Sequence, residues 1–140
     1  MTLLISRTDD LNACRALRRA VFIDEQNVPE DLEWDGRDAE ALHILAQQDG
    51  QPIATLRMFR DPPEAKIGRV CVLPQYRGTG IGRQLMDVAI GILRDSPRIE
   101  TVKLGAQLHV LEFYRPMGFE PEGPIYDDAG IPHRDMRLTL

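Results

Sequence analysis

Apolar and polar residues alternate or recur along most of this chain, and the period of the pattern changes where the elements change. Leu3-Leu4-Ile5-Ser6 is short and β-favouring and predicts an edge strand. Leu11, Cys14, Leu17, Arg18 and Val21-Phe22 follow helical spacing behind Asp9 or Asp10 as cap. Residues 42–48 predict a strand, Asp49-Gly50 a hairpin turn, and residues 51–60 a returning strand in which Ile53, Thr55, Arg57 and Phe59 alternate with Ala54, Leu56 and Met58. Asp61-Pro62-Pro63-Glu64 turns the chain into a third antiparallel strand over 65–72. Ile81, Leu85, Val88, Ala89 and Ile92 then fall on one helical face, predicting a helix from about Gly80 to Arg94 that ends at Asp95-Ser96-Pro97. A strand over 101–106 and a helix from about Leu108 to Met117 follow, the helix stopped by Gly118. A last hairpin pairs 119–126 with 132–139 around Asp127-Asp128-Ala129-Gly130. The order β-α-loop-β-β-β-α-β-α-β-β predicts an α/β (α+β) fold with a mixed, mostly antiparallel sheet of six to seven strands flanked by helices.

The junction between the third of these strands and the long helix carries the strongest local signal. Val70-Cys71-Val72 ends at Leu73-Pro74, and glycines stand at 78, 80 and 82 before the helix begins. Glycine opens backbone angles closed to other residues and lets a ligand approach the main chain. A helix N-terminus offers unpaired N–H groups and a favourable dipole for anions. The turn is therefore read as a phosphate cradle, against the plainer reading of a tight turn with no ligand. It is not a Walker A loop, since no Gly-Lys-Ser/Thr opens the helix. It is also a poor dinucleotide fingerprint, because three antiparallel strands precede it where a parallel βαβ unit should begin.

Composition narrows the class. The 140 residues are enough for one domain, 1–140, with a real core. No apolar run approaches the roughly 20 residues that span a bilayer. Cys14 and Cys71 lie far apart in a helical and a strand pattern, as two buried thiols of a cytoplasmic protein would. No metal-ligand spacing appears. A net charge of −5 argues against general nucleic-acid binding. The charge is uneven: residues 24–40 hold eight carboxylates against Arg37 alone. That segment reads as a loop with one short helical turn, either a solvated surface or a negative rim that attracts a cationic amine.

Gln75-x-x-Gly78-x-Gly80 resembles the acetyl-CoA signature of the GNAT superfamily of N-acetyltransferases. The entry Val72-Leu73-Pro74 matches, and Phe113-Tyr114-Arg115-Pro116-Met117-Gly118-Phe119 is similar to the family's Phe-Tyr-x-x-x-Gly-Phe. Val21-Phe22, Glu25-Gln26, Pro29, His43, Ala106-Gln107 and Gly130-Ile131-Pro132-His133 look like a bacterial subgroup of small acetyltransferases. The resemblance implies coenzyme A as the phosphorylated ligand, with the N–H groups of Arg77, Gly78, Thr79, Gly80, Ile81 and Gly82 around its pyrophosphate. Arg77 or Arg83 would meet phosphate at the rim. The pantetheine arm would lie along Val70, Cys71 and Val72, and Gln75 and Gln107 complete the expected cofactor contacts.

Acetyl transfer to an amine needs a neutral nucleophile, a stabilised oxyanion and a proton for the leaving thiolate. The resemblance gives the oxyanion to a backbone N–H near Val72 and the proton to Tyr114. A phenol of pKa about 10 protonates a thiolate whose thiol has pKa about 8.5 only when well placed or perturbed. The strand before the turn, Lys66 to Val72, has no carboxylate to serve as base. Glu25 is the first candidate base, and Glu25, His43, Arg57 and Arg69 are the candidate acceptor contacts. His43, His109 and His133 also fit plain structural roles. The expected function is acetyl-CoA-dependent N-acetylation of a primary amine on a small molecule or an exposed peptide. The alternative is a non-catalytic acyl-CoA-binding sensor. The final hairpin is a candidate homodimer edge.

Overall fold

The computed structural model describes residues 2–140; Met1 lies outside them. Seven strands form one sheet: β1 (Leu3–Thr8), β2 (Leu42–Gln48), β3 (Gln51–Asp61), β4 (Glu64–Val72), β5 (Thr101–Gln107), β6 (Glu120–Asp128) and β7 (Ile131–Thr139). Their order across the sheet is β1-β2-β3-β4-β5-β7-β6, and every neighbouring pair is antiparallel except β4 and β5. The expected mixed, mostly antiparallel architecture is present. Asp49 and Gly50 turn β2 into β3 with φ of 50° and 81°, the left-handed pair that a two-residue hairpin favours.

The β4–β5 junction sets up everything that follows. Its parallel register covers only Glu64–Lys66 against Thr101–Lys103. Beyond it the two strands diverge. On the other side of β4, the pairing with β3 jumps from Gly68↔Arg57 to Cys71↔Thr55, so Arg69 and Val70 share one partner position. This is a β-bulge, which bends and twists its strand. Arg69 adopts φ of 52° within it.

Four α-helices flank the sheet: α1 (Leu11–Arg18), α2 (Glu30–Glu33), α3 (Ile81–Arg94) and α4 (Leu111–Tyr114). Asp10 caps α1, its side chain accepting from Ala13 N–H at 3.1 Å. The chain continues from α1 through a π-helical stretch, Arg19–Glu25, rather than stopping at Phe22. On one face of the sheet α3 buries Leu85, Met86, Ala89 and Leu93 against Ile44, Leu56, Met58, Ile67, Val102 and Met136. On the opposite face α1 lays Cys14 and Leu17, and the π-helical stretch lays Val21, against Leu45 and Cys71. That face is covered by α1 and residues 26–40, while β5, β7 and β6 present polar side chains to it.

Two expectations shift. The single helix over 108–117 is three short pieces: a 3₁₀ turn at Leu108–Val110, α4, and a second 3₁₀ turn at Arg115–Met117. Pro116 has no N–H for the next intrahelical bond, so regular α-helix ends before it. Gly118 then closes the segment at φ of 104°. The acidic stretch holds two helical turns, α2 and a 3₁₀ turn at Asp38–Glu40.

Candidate active site

The head of α3 is built as an open cradle. Pro74–Tyr76 form a 3₁₀ turn, Gly78 sits at φ of 76°, and Gly80 caps α3 at φ of 87°. Both glycines are in the left-handed region, which a side chain would strain. No side chain caps α3. The first helical N–H with a main-chain partner is that of Gln84, bonded to Gly80 C=O at 3.1 Å. Thr79 Oγ1 donates to Tyr76 C=O and closes the turn. A Cβ on Gly78 would meet nothing within 4 Å, so space lies open over the turn. These features fit an anion held by main-chain N–H groups. Gly82 serves differently: a Cβ there would stand 3.1 Å from Phe113 Cζ, so its absence lets α4 lean on the first turn of α3.

The C-terminal end of β4 borders the divergence. Leu73 N–H donates to Ile53 C=O at 2.9 Å, so by alternation the main chain of Val72 faces away from β3, toward the gap. Cys71 is different. Its side chain packs under α1, and burial pushes its thiol up to about 12. Cys71 is thus a core residue of the opposite face, which corrects its expected part in holding the cofactor.

Arg77 folds back from the turn. Its Nε donates to Val72 C=O at 2.9 Å, and its two terminal nitrogens reach Glu25 Oε2 and Oε1, each at 2.7 Å. The guanidinium expected at a phosphate is engaged with a carboxylate instead. Arg83 also has an acid partner, Asp87, at 3.2 Å. The hydrogen bond from Arg77 holds the Glu25 carboxyl below its usual range. A carboxylate held this way is a weak proton acceptor, which counts against Glu25 as the base. Next to it, Gln26 Oε1 accepts from Gln107 Nε2 at 2.9 Å. Adjacent residues at the end of the π-helical stretch therefore bond to both diverging strands, Glu25 through Arg77 on the β4 side and Gln26 at the end of β5.

Tyr114 lies on the α3 side, only 6% exposed, edge-on to Phe113 at 4.9 Å and Phe119 at 5.9 Å. Burial raises its phenol well above the ordinary value. The hydroxyl therefore keeps its proton throughout the neutral range. Its neighbours are aromatic rings and core side chains.

The remaining sequence candidates belong to an ion network under the acidic segment. Arg18, 1% exposed, donates to Glu33 Oε2 at 2.8 Å and Asp38 Oδ1 at 2.6 Å. Arg57, 5% exposed, bonds both Asp35 oxygens and Asp38 Oδ1. Arg69 reaches Glu33 Oε2 at 3.0 Å and the Glu33 carbonyl at 3.2 Å. His43 is buried, its Nε2 2.8 Å from Asp38 C=O. Arg57, Arg69 and His43, expected at the acceptor, are instead committed to holding residues 30–40 on the sheet. Six of the eight carboxylates in the segment, all but Asp24 and Asp31, pair with arginines. The negative rim read from local charge is therefore largely neutralised by Arg15, Arg18, Arg19, Arg57, Arg69 and Arg77, which the fold brings in from outside it.

A seven-stranded sheet parted between two parallel strands, with a glycine turn and helix head at the mouth, is the architecture this chain shares with solved GNAT acetyltransferases. Residues 8–140 match the family model for the acetyltransferase (GNAT) domain, and the chain belongs to that family. It is 35% identical over 130 residues to protein ElaA of Escherichia coli K12, covering 90% of this chain and 85% of ElaA. The crystal structure of Escherichia coli ElaA superposes with a TM-score of 0.87 at 32% identity, over 98% of this chain and 99% of that one. An acyl-CoA N-acyltransferase from Pseudomonas aeruginosa gives 0.84 at 34% identity, over 98% of both chains. A GNAT family acetyltransferase from Elizabethkingia anophelis, solved with acetyl-CoA bound, shares the fold at a TM-score of 0.76 and 15% identity, over 99% of this chain and 98% of that one.

Proposed function

We propose that the protein transfers an acetyl group from acetyl-CoA to a primary amine of a small molecule, by direct attack while both substrates are bound. The observation that carries this reading is the parting of β4 and β5 after Lys66 and Lys103, with the open head of α3 at one end. The main-chain N–H groups from Arg77 to Gly82 and the α3 dipole suit the pyrophosphate. Gln75 sits in the 3₁₀ turn that brings the chain off β4, and Val70 and Val72 border the gap. Acetyl-CoA supplies an acetyl group activated as a thioester. Val72 N–H, turned toward the gap, is the donor for developing negative charge. Tyr114 is the proton donor for the leaving sulfur.

A second reading keeps the same ligand but no chemistry: an acyl-CoA-binding sensor. Glu25, the expected base, is held by Arg77, and β4 offers no carboxylate between Lys66 and Val72, which is what favours it. No helix among the described residues is long and apolar enough to cross a membrane. Calorimetry with acetyl-CoA and with ATP tests the shared premise. Saturable binding of acetyl-CoA, with ATP much weaker, is expected; equal binding of the two would contradict it.

A further inference from the structure

Where β4 and β5 part, both strands carry glycine on the face opposite α3. Ala65 and Ile67 point into the α3 core, so Gly68 faces the other way, and a Cβ on it would meet nothing within 4 Å. Val102, Leu104 and Ala106 alternate likewise, which turns Gly105 to the same face. The floor of the gap is thus bare backbone on both sides. One side chain reaches over it. Tyr126 starts from β6, opposite His133 on β7, and stacks on that imidazole with ring centroids 5.8 Å apart. Its hydroxyl crosses β7 to Gly105 of β5, where a Cβ would lie 2.3 Å from the phenol oxygen. Any other residue at 105 would push the hydroxyl away. The phenol donates to Asp135 Oδ1 at 2.8 Å, and Lys103 Nζ stands 3.5 Å from Asp135 Oδ2.

Donating its proton to a carboxylate makes the phenol oxygen a better acceptor, and its lone pairs are left for a third group. Desolvation, together with the bond to Asp135, raises this phenol well above its usual value, so it stays protonated. Tyr126 is 37% exposed, so a solute can reach it. We propose that Tyr126, backed by Asp135, receives and orients the N–H of a small primary amine on the face of the gap opposite Tyr114. This rests on the acetyltransferase reading above. In transfer the N–C bond forms and the C–S bond breaks. The nitrogen gives one proton to the Tyr126 oxygen as the Tyr126 proton passes to Asp135. Tyr114 protonates the sulfur, and solvent restores both residues.

The test is a titration of the full chain, labelled with ¹³Cζ-tyrosine, with n-butylamine, free and saturated with coenzyme A. The Tyr126 resonance, assigned from Tyr126→Phe, is expected to move saturably while that of Tyr76 stays still. Gly105→Ala, which displaces the hydroxyl without removing it, is expected to abolish the response. In turnover, Tyr126→Phe is expected to lower kcat/KM for n-butylamine about tenfold with the KM for acetyl-CoA unchanged. A Tyr126 resonance that ignores n-butylamine, or a Gly105→Ala response equal to wild type, overturns the proposal. Failure of acetyl-CoA to bind would overturn the acetyltransferase reading alone, because the titration of the free chain still decides whether Tyr126 meets amines.

Discussion

Arg77 joins Glu25 to the end of β4: both Glu25 oxygens lie 2.7 Å from its terminal nitrogens, and its Nε holds Val72 C=O at 2.9 Å. The expected phosphate ligand and the expected base are thus spent on each other. Together they fix the strand end whose N–H faces the gap. Bidentate pairing gives this contact a defined geometry even though both side chains remain partly open to water.

Glu25→Gln should therefore leave the acid limb of the pH–rate profile where it is. The Glu25 carboxyl titrates below its usual range because of Arg77, so it is already ionised across the working pH range. A modest fall in kcat is expected as Arg77 loses its anchor. Loss of the acid limb in a steady-state pH series would restore Glu25 as the base.

Arg18→Leu should be among the most damaging single changes in the chain. It strips a partner from Glu33 and Asp38, both buried, and an uncompensated buried charge costs about 3–5 kcal/mol. Urea unfolding measures it. Arg19→Leu, one residue on, breaks an exposed pair with Glu30 and a stacking contact on Trp34, and should shift the midpoint little.

Acid should loosen the same region. Burial alone would raise the Asp38 carboxyl, but hydrogen bonds from Arg18, Arg15 and Arg57 hold it at about 2, and Asp35 is depressed by Arg57. A carboxyl with a depressed folded-state pKa binds its proton more readily when unfolded. Its contribution is full above the unfolded value of 3.8 and is lost as the pH falls from there toward about 2. Melting temperature should therefore drop steeply below about pH 4. Asp38→Asn, less stable at neutral pH, should show a shallower fall.

Gly78→Ala should weaken acetyl-CoA binding without unfolding the protein. The residue sits at φ of 76° with open space around it, so the cost is strain in the turn, about 1–3 kcal/mol. Gly82→Ala should act more gently, through Phe113, a half-exposed ring able to swing aside. Calorimetry on both variants separates the effects.

The strand, glycine turn and long helix were legible because their signals are local: a proline at the strand end, glycines where positive φ is needed, and apolar residues at helical spacing. The network under the acidic segment was not. Its pairs, such as Arg18 with Asp38 and Arg69 with Glu33, are distant in sequence and form only when α1, the bulge of β4 and residues 30–40 come together. Read locally, residues 24–40 are a block of negative charge; folded, they are a neutralised cover. Tyr126 was missed for a similar reason. On an exposed strand it reads as a surface aromatic, and only the register of β5, β7 and β6 carries its hydroxyl over Gly105.

The central claim is amine-dependent transfer, and thiol release from acetyl-CoA measures it directly. With protein and acetyl-CoA present, adding a small primary amine should release thiol and N-acetylated amine in equal amounts. Tyr114→Phe should slow that release at least about tenfold, with acetyl-CoA affinity little changed. A chain that binds acetyl-CoA yet releases no thiol with any primary amine would contradict the account and mark the protein as an acyl-CoA sensor.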